Sequence, residues 1–455
     1  MTRRDFIGNA LAALGFSALP GGFLFAAPEG WKPGKKPNLV FGVVSDTHLH
    51  TRHGSSGKPA QNWPDKYFVA ALEYFKRRGV DAVVHCGDMA HRGQVEEMQF
   101  HANAWNRVFG PSGGPVKLFV TGNHDAEGAG YSDLVEKNYP DPVERAKHVL
   151  ATDMAANWER IWGEKYDSVW HKEVKGYHFF GRNWGVDEGN FAKFLRGQDA
   201  TLHLADGIKP FFLLSHARSH KVLYRTAAKL RNSVSFFGHW HHSAANWNKI
   251  YFWGCPNIHV PCCEPRGGNG LSGEGQISKA RLDGKEAGGR SRQGYVVRVY
   301  DDMLVIERRE FGEGGSLGAD WVMPLGKYDP HPFSKDELKK VIGEPQFRKG
   351  ARMVFEKGSA PPCLRVKIPL ADGNPDSRVY AYEVEVSGED ADKKLLKAVY
   401  AAGCNMGIGH EPNHGTTTLE IPRSELPPGK ALTFTVTPLT SLGTRGCPLR
   451  RQERH

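Results

Sequence analysis

The sequence predicts an α/β domain in which a second β-sheet packs on the first, followed by a small all-β sandwich. Three observations predict it. Between residues 38 and 121, apolar strand-like runs alternate with helix-length stretches, which implies parallel strands joined by helical crossovers. From 250 to 309, four further strand-like runs follow with no helix between them. Beyond residue 350 only short alternating strands remain, separated by turn residues. At 455 residues the chain exceeds what one hydrophobic core serves, and 40% hydrophobic with 24% charged residues is a globular composition with no general tendency to disorder.

The first 27 residues stand apart. Thr2-Arg3-Arg4-Asp5-Phe6-Ile7 set two arginines before an apolar stretch, residues 10–27, that is softened by Gly15, Gly21 and Gly22 and closes on Phe25-Ala26-Ala27. This resembles a twin-arginine signal peptide. The resemblance implies the twin-arginine translocase as a partner and a periplasmic or extracellular destination for an already folded chain. An uncleaved anchor, and an N-terminus that is basic then apolar without being a signal, are the alternatives. No other apolar run is long enough to cross a bilayer, so no stable span is expected in the mature chain.

Residues 38–45 (NLVFGVVS) read as a buried strand, 65–78 as a helix stopped by Gly79, 81–86 as a second strand, 94–109 as a helix and 116–121 as a third strand. Residues 141–162 read as one helix, and 177–181, 211–215 and 234–237 as strands. The second group of strands is 250–253, 258–261, 295–300 and 303–309. Between them, 267–294 is rich in Gly, Ser and Arg and is expected to be an exposed, mobile loop. Residues 311–349 form a connector with a short helix at 334–342. The 350–455 segment contains strands such as 380–386 and 431–437, and its Pro-Gly turn at 427–429 resembles the end of a fibronectin type III domain. The expected division is therefore 1–27, 36–310, 311–349 and 350–455.

A net charge of +10 suits an anionic substrate, but no block of five or more basic residues points to a nucleic-acid arm. The seven cysteines include no CxxC pair, so neither a structural zinc knuckle nor a thioredoxin-like site is expected.

Five short polar clusters occur in order, four of them directly after strand-like runs: Asp46-Thr47-His48, Gly87-Asp88, Gly122-Asn123-His124-Asp125, Ser215-His216 and Gly238-His239-Trp240-His241. Alternate residues on an extended strand end point the same way, so Asp46 with His48, and His239 with His241, can converge on one centre. Carboxylate, imidazole and amide oxygen are donors for first-row divalent ions. Glycines 87, 122 and 238 suit sharp turns at strand ends through their free φ.

This ordered series resembles the motifs of the calcineurin-like metallophosphoesterases across residues 38–309. The resemblance implies two packed mixed β-sheets flanked by helices, and two divalent metal ions (manganese, iron or zinc) that activate a water for hydrolysis of a phosphate mono- or diester. Carried over position by position, Asp46, His48 and His241 would hold one metal; Asn123, His216 and His239 would hold the other, and Asp88 would bridge them. His124 would be the acid that protonates the leaving alcohol or contacts the phosphate, with Asp125 orienting its ring. The chain departs from the purple acid phosphatase branch at His91, which stands where that branch has a metal-binding tyrosine; His91 is expected to be a solvated loop histidine, with contact to substrate as the alternative.

His50, His53, His220, His242 and His259 flank the clusters without matching a ligand position. Cys262 and Cys263 are expected to pack, and Trp240 to point away from its two histidine neighbours. Two rival readings remain at this stage: an extracytoplasmic nuclease, and a carbohydrate- or surface-binding protein whose β-domain is the functional part.

Overall fold

The computed structural model describes residues 36–49, 65–128, 133–207, 209–218, 221–230, 232–263, 292–312, 314–326, 328, 330–359, 362–372, 378–388, 394–404 and 415–454. The expected signal segment, most of the expected 267–294 loop, and His50, His53 and His220 lie outside these residues. Among the described residues no helix is long and apolar enough to cross a membrane.

Strands β1 (Leu39–Val44), β2 (Ala82–Cys86) and β3 (Val116–Val120) alternate with helices α1 (Asp65–Arg78) and α2 (Val95–Phe109). Four helices follow: α3 (Asn123–Glu127), α4 (Asp133–Asn138), α5 (Pro142–His148) and α6 (Met154–Trp162). Next come β4 (Val169–Val174), β5 (Tyr177–Arg182), α7 (Glu188–Leu202), β6 (Phe211–Ser215), α8 (Lys221–Ala227), β7 (Ser233–Phe237), β8 (Ile250–Trp253) and β9 (Cys255–His259). Strands β10 (Gln293–Val299), β11 (Met303–Glu310) and β12 (Trp321–Pro324) complete two mixed six-stranded sheets, ordered β12-β11-β10-β1-β2-β3 and β4-β5-β6-β7-β9-β8. β1, β2 and β3 run parallel, as do β5, β6, β7 and β9.

The period-two pattern explains the packing. Leu39, Phe41 and Val43 of β1 face the second sheet, whereas Val40 and Val44 face the helical layer with Phe68, Leu72 and Phe75. Phe212 and Leu214 of β6 meet the first sheet, while Phe211 and Leu213 meet α7 and α8. At the centre, Phe41 packs edge-on against Phe179, Phe212 and Phe236 at 5.3, 4.9 and 6.0 Å between ring centroids.

Several expectations are corrected. The helix expected over 141–162 is two helices, because Val149 bridges to Gln94 and the Leu150 N–H donates to the Gly93 carbonyl (2.8 Å); Asp153 then caps α6 by accepting from the Ala156 N–H. β10 begins at Gln293, inside the stretch expected to be loop, since its first residues pair with Glu310 and Arg309. The strand expected at 258–261 lies at Cys255–His259. β4, α7 and β12 were not anticipated.

After α9 (Lys335–Ile342) and β13 (Gln346–Phe347), the remaining strands are β14 (Val354–Lys357), β15 (Cys363–Ile368), β16 (Ala371–Asp372), β17 (Ala381–Ser387), β18 (Lys394–Tyr400), β19 (Thr417–Pro422), β20 (Ala431–Leu439) and β21 (Leu449–Arg454). A three-stranded sheet, β14-β15-β19, and a four-stranded sheet, β18-β17-β20-β21, are antiparallel throughout and enclose Val366, Ile368, Val384, Val386, Phe434 and Val436. This unit is tied to the loop after β7: the Trp247 N–H donates to Ser441 Oγ (3.0 Å) and Asn248 Nδ2 to the Ser441 carbonyl (2.6 Å).

Candidate metal centre

Because β1, β2 and β3 are parallel, and β6 and β7 likewise, their carboxyl ends meet at one edge of the paired sheets. Asp46 and His48 follow β1, Asp88 follows β2, Asn123 opens α3 after β3, His216 follows β6, and His239 and His241 follow β7. Backbone bonds lash these loops together: Asp46 N donates to Gly87 O (3.0 Å), His48 N to Asp88 O (3.0 Å) and Gly238 N to His216 O (2.8 Å).

The side chains converge by a different route from the one expected. Asp46, His48, Asp88, His239 and His241 all have positive φ, from 43° to 74°, and are therefore left-handed rather than extended. For a non-glycine residue this conformation costs roughly 1–2 kcal/mol. Only Lys175 and His203 share it among the other described non-glycine residues, so backbone strain is concentrated at the candidate ligands. The glycines also act differently from expectation. Gly87 uses positive φ (92°), but Gly122 (φ −107°) does not need it. A Cβ at Gly122 would lie 2.1 Å from Asp88 Oδ1, and one at Gly238 would lie 2.0 Å from Ser45 Oγ, so close approach is what excludes a side chain at both.

Two donor groups result. In one, His241 Nε2 lies 3.0 Å from Asp46 Oδ1 and 3.1 Å from His48 Nε2, which is 3.6 Å from Asp88 Oδ2. In the other, His216 Nε2 lies 3.1 Å from Asp88 Oδ2, 3.0 Å from Asn123 Oδ1 and 3.2 Å from His239 Nδ1, which is 3.0 Å from Asn123 Oδ1. All seven expected ligand residues are thus brought together, with Asp88 common to both groups. Ligand atoms about 2.0–2.2 Å from one ion stand roughly 3.0–3.5 Å from each other, so these spacings and this mixture of oxygen and nitrogen donors fit a divalent cation in each group.

His124 and Asp125 occupy different surroundings from those expected. Asp125 is buried, and its carboxylate accepts from Ala90 N (2.7 Å) and Gly122 N (2.8 Å), so it clamps the β2 and β3 loops together and does not orient the His124 ring. His124 Nδ1 instead faces the His91 carbonyl oxygen at 2.6 Å. The His91 side chain is no free loop histidine: its Nδ1 lies 3.5 Å from His48 Nδ1, and its ring stacks on His124 at 5.6 Å. The residue type gave no signal for this, because histidine is common in solvated loops.

Trp240 points away from its neighbours, packing on Phe237 and His259 and beneath the Arg218 guanidinium. His242 and His259 join neither donor group. Cys263 is buried in the core behind the first sheet, whereas Cys262 Sγ donates to the Asp46 carbonyl (3.1 Å) and so also supports the site. The sequence around Trp184 carries no signal of a role, yet its ring lies 5.7 Å from His216 and 5.8 Å from His239.

The electrostatics are those of tightly matched carboxylates and imidazoles. Burial would raise the Asp88 carboxyl, but the neighbouring His216 and His48 more than offset it and hold it down at about 2. Asp46 is likewise held well below the carboxylate range against its burial, by His241, His216 and His48. Burial would depress His216, but Asp88 and Asp46 raise it to about 9. Asp125 is pushed up to about 7 by burial and the Asp88 charge, against the two backbone N–H bonds it accepts. His216 holds its proton at neutral pH, whereas burial depresses His48 and His239, so a cation entering the second group displaces the His216 proton and its binding is proton-coupled.

Residues 39–243 match the family model described as calcineurin-like phosphoesterase. No curated protein sequence matches the chain. Among solved structures, a dimetal phosphatase from Danio rerio is similar at 12% identity and a TM-score of 0.33, covering 64% of this chain and 99% of that one. A purple acid phosphatase from yellow lupin is similar at 11% identity and a TM-score of 0.42, covering 63% and 55%. Vacuolar Protein Sorting 29 from Cryptosporidium parvum is similar at 10% identity and a TM-score of 0.28, covering 64% and 98%.

Proposed function

We propose that residues 39–243, matched by the calcineurin-like phosphoesterase family, form the two-metal centre of an enzyme that hydrolyses phosphate mono- or diesters. One observation carries the reading: the Asp88 carboxylate oxygen lies 3.1 Å from His216 and 3.6 Å from His48, so a single carboxylate belongs to two adjacent donor groups. Asp46, His48 and His241 would hold one cation, Asn123, His216 and His239 the other, and Asp88 both. Bound there, two cations supply a water-derived nucleophile near neutral pH and polarise the phosphoryl oxygens. Manganese, iron and zinc all suit these donors.

The chain's own residues do the rest. A carbonyl oxygen only accepts, so the His91 carbonyl keeps a proton on His124 Nδ1. His124 Nε2 is then the atom that, when the ring carries its second proton, passes that proton to the departing alkoxide and leaves a neutral ring with its proton on Nδ1. Asp125 fixes the loop that carries His124 through Gly122 and Ala90. Left-handed backbone at five ligands holds their side chains in one arrangement before any ion enters.

The test is a panel of phosphate mono- and diesters assayed on metal-depleted chain with manganese, zinc or iron added back. Metal-restored hydrolysis of at least one ester class is expected, and hydrolysis of none with any of the three would overturn the reading. We propose further that residues 1–27 direct export by the twin-arginine route. Changing Arg3 and Arg4 together to Lys is expected to strand folded precursor inside the cell; unchanged recovery outside the cytoplasm would count against that route. The 350–455 unit, with three- and four-stranded antiparallel sheets, is proposed as a fibronectin type III-like support for the loop after β7.

A further inference from the structure

One wall of the centre has no part in the chemistry above. Trp184 follows β5, and its indole inclines by 36° to the His239 ring and by 71° to that of His216. Its position is fixed at several points. Trp184 Nε1 donates to Glu127 Oε1 (2.6 Å), its backbone N donates to Thr121 Oγ1 (3.2 Å), and the Thr121 N–H donates to Oδ1 of the adjacent Asn183 (2.7 Å). A partly buried indole is thus held beside the Asn123–His216–His239 group by contacts from the end of β3, from α3 and from the end of β5.

The His124 ring adjoins the opposite group, 4.7 Å from His48. His124 lies beside the first donor group and Trp184 beside the second, so an ester seated between the groups can meet both rings, its leaving oxygen at His124 and its other substituent at Trp184. Two properties of this wall select that substituent. The indole face favours a flat ring, because stacking on an aromatic side chain tolerates any π-surface. The exposed Glu127 carboxylate at the indole edge disfavours a ring that carries a further negative charge.

We infer that Trp184 is a stacking platform for the retained ester group of a phosphodiester, and that the favoured substrates are diesters whose retained group is a flat neutral ring, aryl or nucleoside. The inference rests on the phosphoesterase reading of the same centre and resolves its choice between mono- and diesters in favour of diesters. Monoesters lack the group that Trp184 would hold.

The test uses three p-nitrophenyl diesters with the same leaving group and different retained groups: methyl, phenyl and thymidin-5′-yl. Each is assayed with metal-loaded parent, Trp184→Phe and Trp184→Leu, with bound metal measured in all three proteins. Comparing ratios between proteins cancels the intrinsic reactivity of the esters. In Trp184→Leu the kcat/KM ratios of phenyl to methyl and thymidinyl to methyl are expected to fall about tenfold, mainly through KM, while metal content stays near that of the parent. Trp184→Phe should keep most of both ratios. A shift for the phenyl ester alone would restrict the platform to aryl groups, and a shift for both extends it to nucleosides. Unchanged ratios in Trp184→Leu, or an equal loss on all three esters, would overturn the inference and leave the phosphoesterase reading standing. Hydrolysis of none of the esters by the metal-loaded parent would overturn both.

Discussion

Adding one methyl group at Gly122 tests how tightly the centre is built. The backbone there (φ −107°, ψ −175°) is open to any residue, so Gly122→Ala introduces no dihedral strain. The obstacle is space: the new Cβ would sit 2.1 Å from Asp88 Oδ1, 2.5 Å from the Asp88 backbone nitrogen and 2.8 Å from its carboxyl carbon. An ordinary contact needs more than 3 Å, so the Asp88 carboxylate must retreat by about 1 Å. Oδ1 also accepts from the His124 N–H at 2.9 Å, while Oδ2 serves both donor groups, so the retreat disturbs both and the His124 loop together. Overpacking of this kind costs about 1–3 kcal/mol of stability. A displacement near 1 Å in a reacting centre costs roughly 10²-fold in rate. The assay combines bound metal by mass spectrometry, turnover of a p-nitrophenyl ester and a melting curve. Gly197→Ala is the control, because Gly197 is exposed within α7 and a Cβ there meets nothing within 4 Å. It should leave turnover at the parent level and add about 0.5–1 kcal/mol of stability. Full metal content and parent turnover in Gly122→Ala would refute the reasoning.

His124→Ala removes no atom of either donor group, so bound metal should match the parent while turnover falls roughly 10²–10⁴-fold. The fall should be larger for esters of simple alcohols than for p-nitrophenyl esters; an equal fall would assign His124 to phosphate binding, and loss of metal would place it among the ligands. Ser441→Ala removes the Oγ that accepts from the buried Trp247 N–H and should lower the unfolding free energy by about 1–3 kcal/mol, read from the denaturant midpoint. An unchanged midpoint would mean that this seam contributes nothing.

The candidate ligand set was legible because its chemistry requires particular residue types. An aspartate, an asparagine or a histidine directly after a strand-like run is visible in one dimension, and parallel strands bring such ends to a common edge. Convergence itself was misread. Left-handed backbone at Asp46, His48, Asp88, His239 and His241 leaves no periodic trace, whereas extended strand ends do. Gly122 and Gly238 were correctly marked but for a reason that only the third dimension supplies, the nearness of Asp88 and Ser45. The helix expected over 141–162 was broken by a tertiary bond from Leu150 to Gly93, which local propensity does not report. His91 and Trp184 were missed for a related cause. Their importance lies in which rings they touch: His91 was marked only by its place three residues after Asp88, and nothing in the sequence around Trp184 distinguishes it from a surface tryptophan. β1 and β2 were readable because burial on both faces gives nearly continuous apolar runs, broken in β2 only by the buried His85.

The central claim is that one carboxylate serves two cations, and counting metal in Asp88→Asn tests it most directly. An amide keeps the shape of the side chain but removes the negative charge that His216 and His48 now flank at 3.1 and 3.6 Å. Changes to outer partners of metal ligands already cost 10–100-fold, so loss of a shared ligand should cost roughly 10²-fold or more in turnover. The parent chain, loaded and then freed of excess metal, is expected to retain about two ions per chain, and Asp88→Asn fewer than one, with turnover lost in parallel. An Asp88→Asn chain that keeps two ions and hydrolyses esters at the parent rate would contradict the account.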